Sequence, residues 1–148
     1  NLSQTLWYQT NIVIMVMRFH STRSPAIFFG NSAGFNWFGN DGVTAVRIFD
    51  VGSMGGSTTI NTNQWYIFTA IFDGANSIIR TNGVKYVSGN PGGASAMQAF
   101  FMGCDNNGNS SAVMDVAETQ VFTRGNITSN DVRNIEAELG SKYGFTIP

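Results

Sequence analysis

The sequence predicts an all-β fold, a sandwich or a barrel, followed by one C-terminal helix. Three observations carry this. Up to residue 125 the chain is a series of short runs rich in Val, Ile, Phe and Thr, divided by Gly and Asn, with no helical spacing between them. The run NIVIMVMRF (11–19) is apolar on both faces, as suits a strand covered on two sides. Only TSNDVRNIEAELGSKYG (128–144) repeats its apolar residues at helical spacing.

In 11–19, Val13, Met15, Met17 and Phe19 share one side of the strand, and Ile12, Ile14 and Val16 share the other. AIFFGN (26–31) and VTAVRIFDV (43–51) read as the next strands. Between them lies NSAGFNWFGNDG (31–42), where an edge loop or short strand is expected. Alternation there puts Phe35 and Trp37 on one side and Phe38 on the other, one side completing the core. QWYIFTAIFD (64–73), SIIRTNG (77–83) and VKYVSG (84–89) form a three-stranded meander. Asn82-Gly83 supplies the positive φ angles of a two-residue type I′ turn, and Asp73-Gly74 opens a slightly longer one. MQAFFMGC (97–104) and AVMDVAETQVF (112–122) complete the strands. In the helix, Thr128 is the N-cap with Asp131 in capping-box position. Val132, Ile135, Leu139 and Tyr143 make the apolar stripe, and Gly144 ends it in the left-handed conformation. Gly140 weakens the last turn.

The length of 148 residues fits one domain, 1–148, able to bury a core. Charged residues are only 11% of the chain, against about 25% in an ordinary soluble domain. Asn, Ser, Thr and Gly supply the polar surface instead, which argues against a cytoplasmic enzyme. It suits an extracellular or virion-surface protein, or a subunit of a larger assembly. The net charge of -1, with no basic stripe, leaves nucleic acid without a binding surface. Cys104 is the sole cysteine, so neither a disulfide framework nor a Cys-rich zinc site arises within the chain, and its expected place is the core. The run IVIMVM (12–17) is far shorter than the ~18 apolar residues of a membrane span, so no membrane insertion is expected. The run also lacks a signal-peptide cleavage pattern. The abrupt start fits one module of a longer polypeptide.

The ordered set QWYIFTAIFDG (64–74), IIRTNGVKY (78–86), FFMGCDNNGN (100–109), MDVAETQVF (114–122) and ITSNDVRNIEAELGSKYG (127–144) resembles the concanavalin A-like lectin/glucanase superfamily, in its laminin-G-like branch of bacterial and viral type. The resemblance covers about residues 11 to 145. It implies a jelly-roll β-sandwich of two antiparallel sheets with one short C-terminal helix. Members usually carry a further strand before the position where this chain starts, and NLSQTLWYQ (1–9) matches it poorly.

The superfamily includes glycoside hydrolases, so catalysis must be weighed. Retaining hydrolysis needs two carboxylates about 5 Å apart. The glucanase branch sets them as E-x-D-x-x-E, with a bulge before the last Glu. The equivalent VMDVAE here has Val113 in the first place, leaving only Asp115 and Glu118. The nucleophile position is empty, and Glu118 reads as a structural carboxylate bonded to loop backbone. His20, the only histidine, sits among polar turn residues and is expected to be solvated, which leaves no triad. No catalytic residue is assigned, and no enzyme is expected.

Calcium needs several oxygen ligands from loops. Asp105, Asn107 and Asn109 are the candidate set, with Asp105 first, and calcium is the one cofactor such residues suit. Asn40 and Asp41 form a second cluster of this type, and such residues are also ordinary turn chemistry. Sugar binding needs flat apolar faces with amides and hydroxyls around them. The candidate ligand residues are Phe35, Asn36, Trp37 and Phe38, with Asn106 and Asn107; Trp7 and Tyr8 are weaker choices, and Trp65 belongs to the core. The same aromatic loop suits a protein neighbour. The expected function is a non-catalytic carbohydrate-binding or adhesion module, whose partner is a glycan or cell-surface receptor. The alternative is a structural decoration, spike or fibre domain of a phage or other virus particle, whose partners are other virion or surface-assembly subunits. A glycoside hydrolase ranks third.

Overall fold

A strand apolar on both faces needs cover on both, and Asn11–Phe19 (β1) has it. In the computed structural model, which describes residues 10–20, 26–31, 37–40, 46–50, 52–56, 60–92, 100–104, 111–123 and 127–148, β1 lies inside one of two five-stranded sheets. Its neighbours are Tyr66–Phe72 (β6) and Met114–Phe122 (β10), both antiparallel to it. Ser77–Thr81 (β7) and Val84–Gly89 (β8) extend this sheet beyond β6, giving the order β10-β1-β6-β7-β8. The second sheet is built from Ala26–Asn31 (β2), Trp37–Asn40 (β3), Val46–Asp50 (β4), Gly52–Gly55 (β5) and Phe100–Met102 (β9), in the order β5-β4-β3-β2-β9. Among the described residues every strand pairing is antiparallel. This is the expected all-β jelly-roll sandwich, closed by the helix Ser129–Tyr143 (α1).

The alternation in β1 partitions two apolar layers. Val13, Met15, Met17 and Phe19 enter the core between the sheets, beside Phe28, Phe29, Phe38, Ile48 and Phe68. Ile12, Ile14 and Val16 face the other way, onto Ile67, Val132 and Leu139. The helix thus covers the outer face of the first sheet. Each fully buried aliphatic side chain in that layer is worth about 1.5–3 kcal/mol.

The meander forms as expected. Asn82 (φ 48°) and Gly83 (φ 80°) make the positive-φ turn between β7 and β8, and the Asn82 side chain accepts from Ile67 N–H at 2.8 Å. The Asp73-Gly74 connection is a short 3-10 turn over Gly74–Asn76, pinned by Asp73 N–H donating to Ser77 Oγ at 3.0 Å. Two further points go beyond the sequence reading. Of the 43–51 run, Val46–Asp50 is described as strand, and Gly52–Gly55 adds a hairpin strand that its composition hides. Among the described residues the 97–104 run supplies the strand Phe100–Met102, and Cys104 beyond it is half-buried rather than a core residue.

The helix carries its full capping box: Thr128 Oγ1 accepts from Asp131 N–H, and Asp131 accepts from Thr128 N–H at 2.7 Å. Gly144 ends it at φ 75°. Gly140, a liability for helix propensity, is required by the tail. A Cβ there would lie 2.4 Å from Cγ1 of Ile147. Gly83 meets Ile147 on its other side in the same way, so the tail is seated between the hairpin turn and the helix. Among the described residues no helix is long and apolar enough to cross a membrane.

Candidate functional site

The chemistry-bearing side chains that the structure brings together lie on the helix side of the first sheet. A β-bulge places them. Val16 pairs with Glu118 and Met17 with Val116, so Ala117 is the extra residue in β10. Residues opposite one another across a strand pair share a face. Asp115, opposite Arg18, and Glu118, opposite Val16, therefore both stand on the outer side. Without the extra residue an odd spacing of three would put them on opposite faces.

Asp115 accepts from Arg18 Nε at 2.6 Å and meets His20 Nε2 at 3.0 Å. The other ring nitrogen of His20 lies 2.7 Å from Asn63 Oδ1. The Arg18 guanidinium in turn sits 5.1 Å from the centroid of the Trp65 ring, within cation–π range. Hydrogen bonds from Arg18, then from His20, hold the Asp115 carboxyl below the ordinary aspartate value.

Glu118 is held more tightly. Its Oε2 accepts from Lys142 Nζ at 2.7 Å and from the Tyr143 hydroxyl at 3.0 Å, and its Oε1 accepts from Gln120 Nε2 at 2.7 Å. Lys142 Nζ also lies 5.1 Å from the Tyr143 ring centroid. The Lys142 hydrogen bond, followed by those of Gln120 and Tyr143, lowers the carboxyl from 4.5 to about 2. A carboxyl lowered on folding stabilises the fold above its unfolded value and loses that contribution as pH falls through the folded one. Stability is therefore expected to decline between pH 4.5 and about 2 as this group protonates. The side chain is 24% exposed, so solvent moderates the effect. Denaturant melts across that window, run on wild type and Glu118→Gln, check it. The variant should show a shallower acid limb, and an identical limb would refute the assignment.

Between these two networks is an apolar hollow of about 320 Å³, lined by Val16, Trp65, Ala117, Tyr143 and Phe145. β1 contributes Val16, the start of the meander Trp65, the bulge Ala117, and the helix end and tail Tyr143 and Phe145. Aromatic walls with hydrogen-bonding groups at either end can hold a small amphipathic ligand.

The sequence-derived residues fare unevenly. Phe38, assigned to ligand binding, is 1% exposed and packs edge-on against Phe28 and Phe68, at 5.7 Å from each ring centroid. It is a core residue, because strand β3 lies inside the second sheet and turns that position toward the first. Trp37 pairs with Gly30 and Phe49 along the backbone of β3; its side chain lies outside the described residues. Phe35, Asn36, Asp105, Asn106, Asn107 and Asn109 also lie outside them, as do Trp7, Tyr8 and Asp41. Trp65 is not enclosed in the central core; it packs on the helix-side layer and lines the hollow. His20 is engaged by Asp115 and Asn63 rather than merely solvated. Glu118 is a structural carboxylate as read, although its partners are side chains of the helix and of β10, not loop backbone. Arg18, Lys142 and Phe145 escaped sequence reasoning. The one available signal was the E-x-D-x-x-E resemblance, whose bulge aligns Asp115 with Glu118.

No family model and no curated protein sequence matches the chain. Solved structures do resemble it. A Bacteroides ovatus protein assigned a carbohydrate-binding role superposes with a TM-score of 0.66 at 15% identity, over 88% of this chain and 43% of that one. Trypanosoma rangeli sialidase gives 0.66 at 11% identity, over 93% and 24%. Domain 4 of the extracellular arabinanase of Geobacillus stearothermophilus, solved with arabinotriose, gives 0.60 at 20% identity, over 91% and 68%. The chain thus spans less than half the length of the first two. At these identities the likeness is one of fold, a jelly-roll β-sandwich of two antiparallel sheets.

Proposed function

We propose that this chain is a non-catalytic, lectin-like carbohydrate-binding module of laminin-G-like type that works outside the cell. The fold it shares with a protein assigned to carbohydrate binding and with a domain solved with arabinotriose supports a sugar as the ligand. The low charged content of 11% supports an extracellular setting. The observation that carries binding over hydrolysis is the state of the two carboxylates in β10. A general acid must hold its proton near the working pH. Glu118, held at about 2 by Lys142 and its other donors, is ionised and occupied. Asp115 is tied to Arg18 and His20. The place of the nucleophile is taken by Val113, which has no chemistry to offer.

A glycan array together with a reducing-sugar release assay on the same oligosaccharides tests this. Retention of at least one glycan without cleavage is expected. Cleavage that disappears in Glu118→Gln would make the protein a hydrolase, and an array with no bound glycan would remove the lectin reading.

A further inference from the structure

The hollow has a paired border. On one side Arg18 lies over Trp65 and is ion-paired with Asp115; on the other, Lys142 lies over Tyr143 and is ion-paired with Glu118. Trp65 and Tyr143 thus each carry a cation, and each cation is answered by a carboxylate. Such stacking holds ring and cation in place together. Ala117 lies between Asp115 and Glu118 in the chain, and its methyl group leaves the space open.

We propose that this hollow is the ligand site of the module and that it receives one electrically neutral sugar ring. The inference rests on the carbohydrate-binding reading above. Size supports a single ring: about 320 Å³ is at the small end for a ligand pocket, which spans roughly 300–1,000 Å³. The walls Trp65, Tyr143 and Phe145 offer flat apolar surface to the C–H face of a pyranose or furanose. The border offers donors and acceptors to its hydroxyls. Asp115, with a side chain 45% exposed, keeps lone pairs for a hydroxyl donor.

Charge decides the class. Arg18 and Lys142 are each already balanced by a carboxylate, Asp115 and Glu118. His20 adds no free donor, since both its ring nitrogens are engaged. An acidic sugar would bring a third carboxylate beside Asp115 and Glu118 and would have to compete with them for Arg18 and Lys142. A neutral sugar displaces no ion pair.

Calorimetric titrations of wild type and Ala117→Phe, with arabinotriose and lactose as neutral probes and sialyllactose and galacturonate as acidic ones, test the proposal. A phenyl ring in place of the Ala117 methyl is expected to fill the hollow, at a position that takes part in neither ion pair. Neutral probes are expected to bind wild type in preference to acidic ones, and Ala117→Phe to weaken that binding about tenfold or more. Nuclear magnetic resonance of the unaltered protein gives a reading independent of how the variant folds: the ring signals of Trp65 and Tyr143 should shift as the neutral sugar is added. Neutral binding that leaves those signals unmoved, or that survives in Ala117→Phe, would overturn the hollow as the site while the lectin reading stands. If that survival came with a change in sedimentation mass, the hollow would be a protein contact instead. Preference for the acidic probes would overturn the ligand class. No binding by any probe, with an empty glycan array, would remove the lectin reading itself.

Discussion

Phe38→Ala is expected to cost about 3–5 kcal/mol of folding stability, the usual range for deleting a buried phenyl ring. The ring is enclosed between Phe28 and Phe68, and Phe28 stacks in turn on Phe19. These four rings come from both sheets: Phe19 and Phe68 from the first, Phe28 and Phe38 from the second. Removing Phe38 therefore opens a cavity at the seam that joins the sheets, and strands on both sides must move to close it. Urea denaturation followed by circular dichroism measures the effect. Phe38→Leu, which keeps most of the volume, should recover a large part of the loss. A loss below about 1 kcal/mol would be that of a surface residue, and it would restore Phe38 to the list of ligand contacts.

Glu136→Ala should be comparably severe. Glu136 is 1% exposed on the sheet-facing side of α1, where Oε1 accepts from Thr69 Oγ1 at 2.7 Å and from Arg80 Nε at 2.8 Å. Oε2 accepts from Arg80 Nη2 at 2.8 Å. Arg80 Nη2 also donates to the carbonyl of Gly83. One carboxylate thus ties the helix to β6, and through Arg80 to β7 and its hairpin. Breaking a buried pair by removing one partner costs about 3–5 kcal/mol, and Arg80, 16% exposed beside a polar pocket, sets the expectation at the lower end of that range. The double change Arg80→Met with Glu136→Leu removes both charges together. It should be far milder than the single one, and a double-mutant cycle should show strong coupling. Purely additive effects would mean that the pair does not act as a unit. Protection of helix amides from hydrogen exchange should fall more in Glu136→Ala than protection of the second sheet, since the helix is what the pair anchors.

Legibility in the sequence followed the range of the interactions concerned. The division of β1 into a core side and a helix side was readable because side-chain direction in a strand is a local property with period two. The Asn82-Gly83 turn and the Thr128–Asp131 capping box were readable because their partners lie within three residues. Local terms alone misread Gly140. Propensity counts it as a weakness, whereas its reason for being there is the arrival of Ile147. Phe38 was ambiguous because a short run with aromatics on both faces does not say which side the opposing sheet will occupy.

The sequence by itself determined the strand-rich architecture, the capped terminal helix and the lack of an E-x-D-x-x-E set in β10, all of which depend on residue type and short spacing. Only the tertiary structure decided where the polar chemistry gathers. Arg18 and Asp115 are 97 residues apart, and Glu118 reaches Lys142 and Tyr143 across the gap between sheet and helix. Those meetings need the bulge at Ala117, the antiparallel register of β1 with β10 and the seating of the helix on the outer face. No local spacing encodes such contacts, because they are made by packing surfaces that exist only once both sheets have formed.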